Sequence, residues 1–170
     1  MLVNRKLKYL VSTPFGLLDL KAKEVKNTTI HDIRFEYENM AYWLNVFYGK
    51  ITKPSYKEGK WMLFVKEENL EDCWNKLLEG MNKKVFTTMK CSIPNENNPQ
   101  NVPGVAAIMV YTYDYQDTED IKKVLKFLLD NGLDYGEELQ YKADYQTRQG
   151  KYEGGRGESW LYSSKDFQFE

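Results

Sequence analysis

The sequence predicts an α+β fold, one mixed or largely antiparallel sheet with helices packed on one face. Two observations carry this. From residue 60 onward, alternating or continuous apolar runs interchange with runs of 3.6-residue period, in the order strand, helix, strand, loop, strand, helix, strand, strand. The 170 residues also contain no internal repeat and no long low-complexity tract, which argues against solenoids and propellers. At this length a single domain over residues 1–170 is expected, with enough core to fold without disulfides or a structural metal.

Residues 1–36 are the least patterned part. Leu7 to Ser12 and Thr28 to Phe35 read as candidate strands, neither decisively. Tyr37, Met40, Ala41, Leu44 and Tyr48 then recur at helical spacing, with Trp43 and Phe47 widening the stripe, which predicts a helix ending before Gly49. Pro54, Gly59 and the charges between them make a loop. Lys60 to Val65 (KWMLFV) reads as a strand buried on both faces.

The most regular helix follows. Leu70, Cys73, Trp74, Leu77, Leu78 and Met81 fall at i, i+3, i+4, i+7, i+8 and i+11, with Asn69 as N-cap. Val85 to Ile93 alternates, placing Phe86, Thr88, Lys90 and Ser92 on the more polar face of a strand. Pro94 to Gly104 is a polar, turn-forming loop, and a strand runs from Val105 to Tyr113. Asp117 to Asp120 opens a helix whose buried stripe is Ile121, Val124, Leu125 and Leu128, closed by Asn131-Gly132. Leu139 to Thr147 reads as a strand, residues 150–157 as a glycine-rich loop, and Ser159 to Ser164 as a final strand.

With 24 basic and 25 acidic side chains the net charge is -1, so no global positive field exists to hold a long duplex. An anionic ligand therefore needs a local basic pocket. Cys73 and Cys91 fall in a helix and a strand and are expected as buried reduced thiols. The opening residues do not form a secretory signal, and no run of about eighteen apolar residues exists to span a membrane. A soluble, cytoplasmic protein is expected, with no membrane partner.

Familiar chemical signatures are absent. There is no phosphate-binding GxxxxGK[ST] loop, no GxGxxG after a strand, no GxSxG elbow, and no paired Cys or His spacing for zinc. No metal or cofactor is expected. The one histidine, His31, would have to serve any Ser-His or Cys-His system alone. Lysines within strands carry more information. Lys90 lies on the polar face of its strand, and Lys142 shares a face with Gln140 and Asp144. Lysine is disfavoured in strands and costly to bury, so these two either line a solvated ligand surface as point charges or protect sheet edges. Tyr111 and Tyr113 share the face of Met109, while Thr112 shares the β-branched face of Ile108 and Val110 that packs on helices. The tyrosines there either stack a base or pair across strands. Trp43 and Trp74 fit helix cores, leaving the strand residues Trp61 and Trp160 as ring-stacking candidates.

The pieces GKWMLF (59–64), DCW (72–74), MKCS (89–92), VYTYDYQD (110–117), YKADYQT (141–147) with Gly150 and Tyr152, and LYS (161–163) occur in an order that resembles the family of the basophilic-leukaemia-expressed protein. The resemblance covers residues 59–164, leaving 1–50 unassigned. It implies the fold of the cap-binding translation initiation factor: a curved antiparallel sheet with helices on its convex back and a ligand groove on its concave front. It also places Lys90, Tyr111, Thr112, Asp114, Lys142, Asp144 and Thr147 at family motif positions. Arg148 stands where the family tends to be less charged.

The functional expectation is binding of a nucleotide or other phosphorylated small molecule on the concave sheet face, sequestering rather than converting it. The candidate ligand-binding residues are Trp61, Lys90, Tyr111, Tyr113, Asp114, Lys142, Asp144, Thr147 and Arg148. Two alternatives stand beside it. Some members of the family are described as phosphothreonine lyases, which would make Lys90 or Lys142 a base and Arg148 or Arg156 a phosphate clamp. A protein-interaction domain would instead present the exposed face of the Tyr37 to Tyr48 helix to a partner.

Overall fold

The computed structural model describes residues 1, 6–21, 25–51, 55–148 and 160–169. Eight strands hydrogen-bond into one open sheet. They are β1 (Leu7–Thr13), β2 (Gly16–Leu20), β3 (Trp43–Tyr48), β4 (Gly59–Lys66), β5 (Thr88–Ser92), β6 (Val105–Thr112), β7 (Gln140–Ala143) and β8 (Tyr162–Ser163), in the order β2-β1-β3-β5-β6-β4-β7-β8. The pairs β1/β2, β1/β3, β3/β5, β4/β7 and β7/β8 are antiparallel. The described helices include α1 (Ile30–Glu36), α2 (Glu67–Asn82), α3 (Thr118–Asp130) and the short α4 (Asp144–Arg148). The chain is thus α+β with a largely antiparallel sheet, as the periodicity predicts. Two units divide it, Met1–Ile51 with Phe64–Ile108 and Thr52–Leu63 with Met109–Glu170.

In the first unit, two predicted elements change type. Thr28 to Phe35 is mainly a helix, because Thr29 and Asp32 form a capping box. The Asp32 amide donates to Thr29 Oγ1 at 3.1 Å and the Thr29 amide donates to Asp32 Oδ2 at 3.0 Å. The predicted helix over 37–48 ends instead in strand β3. There Leu44 and Val46 are buried while Trp43, Asn45 and Phe47 are half-exposed, a period of two. Pairing of Val11 with Leu44, and of Leu44 with Cys91, fixes the register on both sides. The helical surface proposed for a protein partner therefore does not exist as such, and Trp43 is a strand residue.

Helix α2 buries Leu70, Cys73, Trp74, Leu77, Leu78 and Met81 as its spacing predicts, each large side chain contributing roughly 1.5–3 kcal/mol. It begins two residues before Asn69. Lys66 is the N-cap without a side-chain bond, and Glu67 and Glu68 favour the positive helix end instead. Strand β5 is shorter than the alternation over 85–93 suggests, and Met89 and Cys91 are its buried residues.

In the second unit, α3 buries Ile121, Val124, Leu125 and Leu128. Asp117 caps it by accepting from the Asp120 amide at 3.2 Å, and Gly132 (φ 68°) takes the left-handed conformation just beyond its end. Beside this helix, Trp61 and Tyr141 meet edge to face at 5.4 Å, and Tyr162 and Phe167 complete the aromatic core. The predicted strand through Thr147 stops at Ala143. The Gln146 side chain accepts from the Ala143 amide at 3.0 Å, and the chain turns into α4. The glycine-rich loop at 150–157, with Arg156, lies outside the described residues.

Candidate functional site

Strand pairing in the second unit sets two lysines side by side. Lys60 of β4 is the direct register partner of Lys142 of β7, and Met62 that of Gln140. Because side chains alternate along a strand, these four share one face while Trp61 and Tyr141 share the other. Lys60 is 8% exposed and Lys142 6%. Burying one ammonium is costly and burying two together more so, which makes the pair informative.

Lys60 is held from three directions. Its Nζ lies 2.8 Å from Asp144 Oδ1, donates to Thr147 Oγ1 at 3.2 Å, and stands 5.7 Å from the centre of the Tyr111 ring. Asp144 owes its position to the end of β7, where its amide donates to the Glu58 carbonyl at 2.8 Å. Thr147 comes within reach one helical turn later on α4. The switch from strand to helix at residue 144 thus brings Asp144 and Thr147 to the same ammonium.

The electrostatics follow from this geometry. Burial holds the Lys142 ammonium below the ordinary lysine value of 10.5, and the neighbouring Lys60 charge lowers it further, with Asp144 opposing. Burial raises the Tyr111 phenol well above its ordinary value, with Asp144 and Glu58 adding to the effect, so it stays a neutral donor. The face accordingly carries two lysines near one half-buried carboxylate paired with Lys60, with a half-buried phenol ring beside them. Such a group can hold a phosphate or carboxylate and present a ring face or hydroxyl to whatever is attached.

Of the residues expected at the site, Lys142, Tyr111, Asp144 and Thr147 thus gather around Lys60. Lys60 was missed. It sits at the start of a run that reads as apolar on both faces, and only its register with Lys142 marks it. Face assignment on β6 holds, with Val110 and Thr112 buried and Tyr111 half-buried on the other side. Thr112 Oγ1 and the Tyr141 hydroxyl lie 2.6 Å apart in the core.

Other predicted residues belong elsewhere. Trp61 is fully buried and donates its indole N–H to the Ile121 carbonyl at 3.1 Å, so it is a core residue rather than a stacking platform. Tyr113 lies beyond the end of β6, 64% exposed, and donates to Asp117, which pushes its phenol up to about 12. Asp114 accepts from the Gln116 amide at 2.9 Å and shapes the turn into α3. Arg148 ends α4, and its side chain lies outside the described residues. Lys90 is in the first unit, across from Asn45, with its Nζ 4.0 Å from the centre of the Trp43 ring. His31 sits in the first turn of α1, also in the first unit.

No curated protein sequence matches the chain. Among solved structures, schistosome eIF4E complexed with m7GpppA and 4E-BP is similar at a TM-score of 0.67 and 12% identity, covering 92% of this chain and 94% of that one. Ascaris suum eIF4E-3 with m7G cap is similar at 0.58 and 12% identity, covering 81% and 86%. C. elegans eIF4E-3 with the 4E-binding protein Mextli and cap analog is similar at 0.53 and 14% identity, covering 84% and 91%. At these identities the likeness shows the fold, which is the cap-binding initiation factor-like one. Residues 49–148 match the family model described as basophilic leukemia-expressed protein Bles03, which takes in the Lys60 and Lys142 strands and stops before the resembling pieces at 150–163. On that match over more than half its length, the chain belongs to the Bles03 family.

Proposed function

We propose that the second unit binds a phosphorylated small molecule, a nucleotide in the first instance, on the sheet face that carries Lys60 and Lys142. The observation behind this is the register pairing of two lysines, each under a tenth exposed, with the Asp144 carboxylate paired to Lys60. A bound phosphate offsets the like-charge repulsion between the ammoniums, and Tyr111 supplies a ring edge or a hydroxyl donor. The solved structures of the same fold with m7GpppA and m7G cap support a nucleotide as the ligand class. The role we assign is holding the ligand rather than converting it, in the cytoplasm, where two buried free thiols are at home.

A thermal-shift panel tests the proposal, with inorganic phosphate, nucleosides and nucleoside mono-, di- and triphosphates as ligands. A ligand at about 100 times its Kd stabilises the native state by about 2.7 kcal/mol, which for a chain of this size raises Tm by roughly 5–10 °C. Phosphorylated members are expected to shift Tm and plain nucleosides to do so less. A flat response to every phosphorylated compound at millimolar concentration removes the proposal.

A further inference from the structure

The first unit contains a cavity of about 300 Å³, walled by α1 and the residues just after it, by the start of α2, and by the loop from Pro94 to Gly104. That volume is at the lower end of the range for small-molecule sites. The buried part of its lining is Arg34, 4% exposed, and Asn95, 3% exposed, while Glu38, Glu67 and Glu96 form an exposed rim. Hydrogen bonds tie the walls together. Arg34 Nε donates to the Ser92 carbonyl at 2.9 Å, and the Glu67 amide to the Gly104 carbonyl at 3.1 Å. The Asn39 amide donates to the Pro94 carbonyl at 2.9 Å, and the Glu96 amide to Asn39 Oδ1 at 2.8 Å. The hollow is therefore formed before any ligand arrives.

Arginine is rarely buried this deeply unless it is paired, and Arg34 is paired on one side only. Its Nη1 lies 3.4 Å from Glu67 Oε1, long for a charge-assisted bond, and its Nη2 has no acceptor among the described residues. A guanidinium is a flat fork of donors that matches a carboxylate, so a ligand carboxylate can take the Nη2 side and compete with Glu67. The rim sets a second condition. Three carboxylates surround this one cation, so a simple anion is repelled at the mouth and a simple cation meets Arg34 at the base. A molecule that carries both charges a short distance apart satisfies both.

We propose that this cavity binds a small zwitterion of the α-amino acid class, with its carboxylate on Arg34 and its ammonium among Glu38, Glu67 and Glu96. The site lies wholly in the first unit and uses none of the residues assigned to phosphate, so it stands or falls separately from the function proposed above.

A thermal-shift panel of the protein amino acids on the full chain, followed by calorimetry with the most stabilising one, its carboxamide and its N-acetyl form, provides the test. The carboxamide, which has lost the carboxylate, is expected to bind at least about tenfold more weakly. The N-acetyl form, which has lost the ammonium, is expected to bind at least about threefold more weakly, the smaller loss that exposed ion pairs give. The double variant Glu38→Gln with Glu96→Gln changes two exposed side chains and is expected to weaken the amino acid by a similar factor. Arg34→Lys keeps the charge without the fork and should lose the preference for the free carboxylate; where it fails to fold, the rim variant decides. A flat response to every amino acid at millimolar concentration overturns the inference. Equal binding of the carboxamide or of the N-acetyl form, or a rim variant that binds as wild type does, overturns it as well.

Discussion

Replacing Lys142 with methionine should stabilise the ligand-free protein and abolish its response to phosphorylated ligands. Methionine keeps an unbranched stem of similar length, so the change removes a charge more than a shape. That charge is 6% exposed and faces Lys60, itself 8% exposed. Exchanging poorly solvated charges for apolar side chains is neutral to stabilising, and a gain of about 1 kcal/mol is expected at neutral pH. For a chain of this size that raises Tm by roughly 2–4 °C. The pH dependence fixes the cause. Because the native pKa of Lys142 lies below its ordinary 10.5, the unfolded state binds more protons between the two values, and wild-type stability recovers as pH rises through that window. The advantage of Lys142→Met is therefore larger at pH 7 than at pH 10. Melts followed by circular dichroism at both pH values, with and without a nucleoside triphosphate, measure all three effects. A variant several degrees less stable than wild type at pH 7, or one that keeps the full ligand shift, refutes the reasoning.

Asp144→Asn leaves the buried Lys60 ammonium beside Lys142 without its carboxylate; a loss of about 3 kcal/mol is expected, read as a lower urea midpoint at unchanged m. Gly59→Ala is expected to cost about 2–3 kcal/mol, measured the same way, because the new Cβ falls 2.0 Å from the Tyr141 hydroxyl and displaces a ring bonded to Thr112 and packed on Trp61. Cys73 and Cys91 should resist a thiol reagent until the protein unfolds, since both are buried and the Cys91 thiol is pushed up to about 12 by desolvation; stoichiometric labelling in native buffer would contradict this.

The parts of the fold that the sequence revealed are those where one period dominates. Helices α2 and α3 carry apolar stripes that no strand would produce, and β6 alternates cleanly between Val110 and Thr112 on one face and Tyr111 on the other. Residues 37–48 satisfied both periods at once. Tyr37, Met40, Ala41 and Leu44 fit a helix, yet Leu44 and Val46 alternate with aromatic neighbours that favour a strand, and pairing with β1 and β5 decides the matter. The Thr29/Asp32 capping box was a local signal for α1 that the candidate strand obscured. Half of the site was legible because lysine and aspartate in a strand are unusual enough to mark Lys142 and Asp144. Lys60 was not, since its role depends on which residue of another strand lies opposite, 82 positions away in the chain, and spacing along one strand does not encode that.

The central claim is that Lys60 and Lys142 recognise phosphate. Calorimetric titration of wild type with a nucleoside triphosphate and with its unphosphorylated nucleoside tests it most directly. The triphosphate is expected to bind at least about tenfold more tightly, a difference of about 1.4 kcal/mol, with the gap falling as salt is raised and vanishing in Lys142→Met. Equal affinities for the two compounds, or a phosphate preference untouched by that substitution, would contradict the account.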